Sequence, residues 1–295
     1  MEYNENLLIT VIVITTNREK TICDTLESIR KNQENFLNVK LYDFCSEDHT
    51  VSIVKDYIER LGLNWNYDVL NEKLRDCQDW HYALENEGCG WITFLEGDDC
   101  WPAGFCSKVY SIINANPTVG LIHFAGFNEK GYQNNGYERD TFFSSSDYML
   151  NHLINNVIGS YAPSQTIFKK NNTNKKINFN FNRFKYAPEP SFWLELSLQC
   201  DVFICISMAV YRGISETPRI KLDAILDLLS YAEDLLTINP PQRGKIIWQV
   251  TFYIILYHYI AYFYSVIRLR QKICLDFFTA PIAPYIRLLF QSMKK

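Results

Sequence analysis

Three carboxylates stand within four residues at Glu96-Gly97-Asp98-Asp99. Acids this close repel one another, so the arrangement calls for a compensating positive charge. A hard divalent cation, Mg2+ or Mn2+, takes oxygen ligands and can carry phosphate oxygens on its far side. The residues just before, Trp91-Ile92-Thr93-Phe94-Leu95, form an uninterrupted run of aromatic, β-branched and aliphatic side chains. Such a run predicts a short strand covered on both faces. Open α/β sheets bind their ligands at the C-terminal ends of their strands, which is where these acids fall. A solvated acidic turn is the plain alternative. The apolar strand before the acids and the Trp101-Pro102 turn after them favour the metal reading, because functional groups concentrate on loops held by rigid elements.

Other residues of suitable chemistry lie at predicted strand and helix ends. Asp43 falls near the end of a strand over Val39–Phe44, and Arg212 directly follows a strand over Val202–Tyr211. Thr16, Asn17 and Arg18 form the turn after a first strand over Leu7–Ile14. Glu189 precedes a helix over Ser191–Gln199, with Glu195 inside that helix. Each has a structural alternative. Asp43 could cap a turn, Arg212 could pair with a nearby surface acid, and Glu189 could serve only as an acid favoured by a helix N-terminus. Lys73, Arg75 and Asp76 could reach a phosphate but read more simply as a solvated turn. His123 and His258 lie in apolar stretches and are expected to pack.

The elements that must position these residues alternate along the chain. Glu19–Lys31 carries Ile22, Leu26 and Ile29 at helical spacing. A helix after Ser46-Glu47-Asp48 has Val51, Ile53, Val54, Tyr57 and Ile58 as its apolar positions, and that triplet can cap it. Strands are predicted over Trp65–Leu70, Thr118–Phe124 and Ser164–Phe168, and helices over Cys77–Glu85, Phe105–Asn114 and Asp147–Ile158. Residues 128–146 are rich in Gly, Asn and Ser and read as a mobile loop. Strands alternating with helices predict a doubly wound, mostly parallel α/β sheet.

Four segments in this order resemble glycosyltransferase family 2, whose members are inverting enzymes with a GT-A fold. VIVITTNREKTICDTLESI resembles the family's opening strand and helix, YDFCSEDHT its second segment, and WITFLEGDDCW its metal-binding DxD segment. APEPSFWLEL followed by MAVYR resembles the region of the catalytic acid and the closing strand. The resemblance spans about Leu7 to Arg212. It implies Asp98, with Asp99 beside it, as metal ligands. It also implies Glu96 and Asp99 as contacts to the ribose, donor sugar or metal-bound water, and Asp43 as a contact to the nucleoside. By the same resemblance Thr16, Asn17 and Arg18 border the nucleotide, Arg212 lies near the diphosphate, and Glu189 stands where the family keeps its base. The chain departs from the pattern at Phe44-Cys45, at the turn after the first strand, which is one residue short and lacks its Pro, at Pro190 after Glu189, and at Gly213-Ile214 after Tyr-Arg.

The reaction so implied is an in-line displacement. An acceptor hydroxyl attacks the anomeric carbon of a nucleoside-diphosphate sugar, opposite the leaving diphosphate. A cation would stabilise the charge on the leaving group, and a carboxylate would accept the hydroxyl's proton. The expected acceptor is a glycan or lipid-linked saccharide in cell-surface polysaccharide or glycoconjugate synthesis. A non-catalytic relative that binds a nucleotide sugar or glycan is the alternative, motivated by the departures above. A nucleotidyltransferase also uses paired acids, but TTNREK lacks the Gly-rich, basic first loop which that chemistry uses.

The 295 residues exceed one typical core, so a catalytic domain over 1–215 and a helical appendage over 216–295 are expected. The hydrophobic share of 47% argues against disorder. Nine cysteines without a CxxC pair predict reduced thiols in a reducing compartment. No signal peptide is read at the start, where the apolar run is short and wrongly flanked. From Pro241 onward eight basic residues face one acid, which is +7 and leaves −11 for the rest of a chain of net charge −4. Ile246–Ile267 holds 22 residues without Lys, Arg, Asp or Glu, about 33 Å as a helix. Its five Tyr and the basic residues at both ends suit a lipid interface better than a span. The expectation is a protein peripheral to the inner face of the cell membrane, with no nucleic-acid partner. A lipid-free bundle or homo-oligomer interface is the alternative use of the tail.

Overall fold

The computed structural model describes residues 8–32, 37–74, 78–129, 131–133, 136–145, 147–148, 161–171 and 189–213, with the side chains of 189–191 and 194 outside that description. Among the described residues nine strands form one sheet: β1 (Ile9–Thr15), β2 (Leu37–Phe44), β3 (Asn66–Leu70), β4 (Gly90–Glu96), β5 (Val119–Asn128), β6 (Gly131–Gln133), β7 (Thr141–Phe143), β8 (Thr166–Lys170) and β9 (Asp201–Tyr211). The helices are α1 (Ile22–Lys31), α2 (Thr50–Leu61), α3 (Gln78–Glu85), α4 (Phe105–Ala115) and α5 (Glu189–Ser197). The sheet order is β3-β2-β1-β4-β8-β5-β9-β7, with β6 paired to β5. Strands β3, β2, β1 and β4 run parallel, and β5 runs parallel to β9. Strand β8 enters between β4 and β5 antiparallel to both. The mostly parallel α/β expectation therefore holds, with a mixed centre.

Period-two alternation sorts the central strands onto two cores. Val11, Val13, Leu41, Leu95 and Ile122 face α1, α2 and α4, where Ile22, Leu26, Ile29, Val54, Phe105 and Val109 meet them. Ile12, Ile14, Tyr42, Phe44, Ile92, Phe94 and Phe168 face α3 and α5, packing on Trp80, Leu84, Phe192, Trp193 and Leu196. Each such side chain contributes roughly 1.5–3 kcal/mol by leaving water. The same alternation carries Glu96 onto the face of Ile92 and Phe94, towards α3. His123 is fully buried, bonded to Thr166 Oγ1 (2.9 Å) and Tyr148 Oη (3.1 Å) and stacked on Tyr161. It packs, as expected.

Two expectations need correction. The 128–146 segment is not merely a loop, because β6 pairs with β5 and β7 with β9. Asp140 anchors it by accepting from the backbone N–H groups of Ile206 and Ser207 (both 2.8 Å) and from Lys108 Nζ (2.9 Å). These partners are more than 30 residues away, so local polarity does not reveal them. The predicted strand at Ser164 begins only at Thr166, because Pro163–Gln165 is a 3-10 turn closed by the Gln165 side chain on Ala162 N–H. The seven cysteines among the described residues are free thiols. The predicted helix at 147–158, His258 and the region 216–295 lie largely or wholly outside the described residues. No helix among the described residues is long and apolar enough to cross a membrane.

Candidate active site

Strand β4 ends at Glu96, and the chain turns at once, Asp99 N–H donating to Glu96 O at 2.9 Å. Gly97 makes this turn fit. Its N–H donates to Ile14 O, and Thr21 Oγ1 donates to its carbonyl. A Cβ there would stand 2.7 Å from Thr15 Oγ1 and 3.1 Å from Arg18 Cγ, so the β1 turn and the acidic turn touch only because residue 97 has no side chain. Gly213 does the same from the far side, where a Cβ would lie 2.7 Å from Asp98 Cβ, Cγ and O.

The two guanidinium groups of the region divide the acids. Arg18 Nη2 lies 3.3 Å from Asp98 Oδ2, and Arg212 Nε lies 3.4 Å from Asp99 Oδ2. Asp99 is almost fully buried, and its Oδ1 accepts from Gly213 N–H at 2.8 Å. Arg212 also reaches Gln165 Oε1 at 3.4 Å, while its own N–H donates to Phe127 O. Asp98 Oδ1 is buried with no hydrogen-bond partner among the described residues. Glu96 opens partly to a cleft but is otherwise enclosed, and its N–H donates to Ser164 Oγ at 3.1 Å. Loss of hydration pushes its carboxyl up to about 8, with Asp99 and Asp98 adding to the rise and Arg212 opposing it. Burial also raises Asp99, against Arg212 and the bond from Gly213.

The cleft is about 200 Å3 and is lined by Ile14, Thr16, Arg18, Asp79, Trp80, Glu96 and Gly97. Thr16, Arg18 and Glu96 of the expected residues thus meet in one place, with Asp98 beside them through Arg18. Asp43 and Asn17 hold the neighbouring turns. Asp43 is fully buried, and its two oxygens accept from Ser46 N–H (2.8 Å) and Ser46 Oγ (2.7 Å). Ser46 Oγ in turn accepts from Asn17 N–H at 2.8 Å, and Asn17 Oδ1 accepts from Glu47 N–H. Glu189 opens α5, on the α3 side of the sheet, while its side chain lies outside the described atoms.

Sequence reasoning missed Asp79, Trp80, Ser164 and Gly213. Asp79 is held up the scale by burial and opens α3 into the cleft. Only its position beside Trp80 at a helix start hinted at it. Ser164 and Gly213 are small residues whose part comes from contacts 68 and 114 positions away.

The acids offer a divalent cation two buried oxygens without a hydrogen-bond partner among the described residues, Asp98 Oδ1 and Asp99 Oδ2, the second lying 3.4 Å from Arg212 Nε. Among the described residues, no three acid, His or Cys side chains converge as a ligand set. The donor set therefore suits a cation held by one or two carboxylates and completed by phosphate oxygens and water, which Mg2+ and Mn2+ accept.

The chain is 25% identical over 213 residues to a Campylobacter jejuni GalNAc(5)-diNAcBac-PP-undecaprenol beta-1,3-glucosyltransferase, covering 69% of this chain and 64% of that protein. It is 25% identical over 117 residues to an uncharacterized glycosyltransferase of Haemophilus influenzae, covering 39% and 38%. It thus spans less than two thirds of either relative. Among solved structures, Staphylococcus aureus TarS 1-349 in complex with UDP superposes with a TM-score of 0.68 at 19% identity, over 96% of this chain and 81% of that one. The Pyrobaculum calidifontis mannosyltransferase PcManGT, solved with GDP-Man and Mn2+, gives 0.52 at 13%, over 97% and 86%. These likenesses establish a GT-A fold. The sequence profile described as "Glycosyl transferase family 2" matches residues 10–175. This match spans more than half of the chain, and the chain belongs to glycosyl transferase family 2.

Proposed function

We propose that this protein is a metal-dependent, inverting glycosyltransferase. It moves a sugar from a nucleoside-diphosphate donor to a hydroxyl of a glycan or lipid-linked saccharide. The observation that carries the reading is Asp98, with one oxygen on Arg18 and the other buried and unpartnered, next to a cleft opened by Thr16 and Glu96. A cation held by Asp98, with Asp99 behind it, would supply positive charge to the diphosphate as it leaves.

The chain's own groups do the rest. Glu96 and Asp79 offer carboxyl groups to the hydroxyls of the ribose or donor sugar. Arg18 offers its guanidinium to the diphosphate. Arg212 neutralises Asp99 and so keeps the acidic turn from repelling that anion. Asp43, Thr16 and Asn17 shape the turns that receive the nucleoside. Glu189 would take the proton from the acceptor hydroxyl as that oxygen bonds to the anomeric carbon opposite the departing diphosphate, and this in-line attack inverts the anomeric carbon. Two GT-A likenesses carry UDP or GDP-Man in their solved complexes, and the Campylobacter relative is named for a lipid-linked acceptor. A UDP- or GDP-sugar is therefore the first donor to try. The basic, aromatic tail is read as the contact to an anionic membrane surface, placing the enzyme on the inner face of the cell membrane near a lipid-linked acceptor.

Thermal-shift screening against UDP-, GDP-, dTDP- and CMP-sugars, with and without Mn2+, tests the donor and metal reading together. A rise in melting temperature with one donor class, present only with metal, is the expected result. No shift with any donor, in folded protein, would sink it.

A further inference from the structure

The two ion pairs of the acidic turn are built differently. Arg212 and Asp99 form a fixed pair. Asp99 is enclosed, Gly213 N–H holds its Oδ1, and Gln165 and Phe127 O hold Arg212. Arg18 and Asp98 form a one-sided pair. Asp98 is clamped, since Gly213 sits against its Cβ, Cγ and carbonyl, and only 15% of its side chain is exposed. The Arg18 side chain is 42% exposed and reaches Asp98 through one nitrogen at 3.3 Å. A guanidinium can engage both oxygens of a carboxylate as a fork, and neither pair does so, since Asp98 Oδ1, Asp99 Oδ2 and Arg212 Nε all lack a hydrogen-bond partner among the described residues; what sets the Arg18 pair apart is its more exposed guanidinium and its less enclosed carboxylate. The backbone of Arg18 is pinned by Thr50 Oγ1, which accepts from its N–H at 2.7 Å. The side chain can therefore swing while its anchor stays.

From this we propose that Arg18 is an exchangeable internal counter-cation. In the free protein its guanidinium holds Asp98. When the donor arrives with its divalent cation, the cation takes Asp98 and the guanidinium turns into the cleft to meet the diphosphate. The inference rests on the metal reading above. Two positive charges a few ångströms apart on one carboxylate repel each other, so the cation and the guanidinium compete for Asp98. The diphosphate removes that conflict by giving the guanidinium another partner. Metal alone then binds poorly, and metal and donor bind together.

The test is Mn2+ binding to the full chain, read from the electron paramagnetic resonance signal of the free aquo ion, without nucleotide and then with UDP. For Mn2+ alone, Arg18→Met is expected to bind about 3–10-fold more tightly than the wild type, with Arg18→Lys close to the wild type. With UDP present the order reverses, and the Met variant binds Mn2+ about 3–10-fold more weakly. Melting curves confirm folding, and Arg18→Gln repeats the measurement should the Met variant unfold. If Asp98→Asn abolishes Mn2+ binding while the Arg18 variants bind Mn2+ alone no more tightly than the wild type, the exchange is wrong and the metal reading stands. If Asp98→Asn leaves Mn2+ affinity unchanged, or the wild type binds no Mn2+ alone, with UDP or with GDP, both are wrong.

Discussion

Glu96 and Glu27 are glutamates whose surroundings push their acidities in opposite directions, and Glu189 is a third, with a proposed catalytic task. We assign proton transfer to Glu189, and a positioned general base contributes about 10²–10⁴-fold in rate. Glu189→Gln should therefore lower sugar transfer by about that factor while metal-dependent donor binding, read by thermal shift, stays near the wild-type value. A matched fall in both would remove Glu189 from the chemistry. Glu96 shows what enclosure does to an acid, its carboxyl being driven up to about 8 by lost hydration. Glu27 shows the reverse on the outer face of α1. Hydrogen bonds from Arg30 (2.6 and 2.7 Å) and from Tyr57 Oη (2.7 Å) lower it from 4.5 to about 2. Because the folded value is depressed, its stabilisation is fully present above about pH 4.5 and is lost as pH falls towards 2. Glu27→Gln should cost about 0.5–1 kcal/mol at pH 7, discounted for the solvent around it. Denaturant titrations of both proteins should converge near pH 2, and a gap independent of pH would show that packing, not charge, is lost.

At the scale of elements, the site is a meeting of turns. The β1–α1 turn, the β2–α2 turn and the β4–α4 turn arrive side by side because β1 pairs in parallel with both β2 and β4. Side chains then lace them. Arg18 N–H meets Thr50, Glu19 N–H meets Asp48, and Asn17 N–H meets Ser46. Asp48 also accepts from Thr50 N–H and so clips the start of α2 to the β1 turn, although the N-cap is His49, without a side-chain cap bond, rather than the expected Ser46-Glu47-Asp48 triplet. Gly97 is the point of closest approach. Gly97→Ala would press a Cβ onto Thr15 and Arg18, and overpacking of this kind costs about 1–3 kcal/mol. Chemical denaturation should show that loss together with weaker donor binding. An unchanged melting curve would mean the two turns part easily.

At the scale of the molecule, charge is distributed unevenly. The tail from Pro241 carries +7 and the remainder −11. A basic segment gains about 1 kcal/mol per Lys or Arg near an anionic lipid surface, and salt screens that gain. The full chain should therefore sediment with anionic liposomes at low salt, more weakly with neutral ones, and less as salt rises. Equal recovery from both liposome types would shift the tail to a bundle or oligomer interface. The described part needs no such partner for its core, since both faces of the sheet are covered by helices and aromatic side chains.

The strands and helices that carry the site were legible because their signals are local. Leu7–Ile14, Val39–Phe44 and Trp91–Leu95 are dense in β-branched and aromatic residues, and the helices repeat at 3.6. The acidic turn was legible too, because three carboxylates after an apolar strand are costly without a purpose. What the chain by itself could not show was every partner made across the fold. The insertion of β8 between β4 and β5 brings Ser164 to Glu96, and the end of β9 brings Arg212 and Gly213 to Asp99. The assignment of one guanidinium to each aspartate, the entry of Asp79 into the cleft and the pairing of β6 and β7 depend on the same long-range packing. Period and propensity act over a few residues, whereas the shifts in acidity and the ion pairs arise from groups tens of positions apart that only the closed sheet brings within a few ångströms.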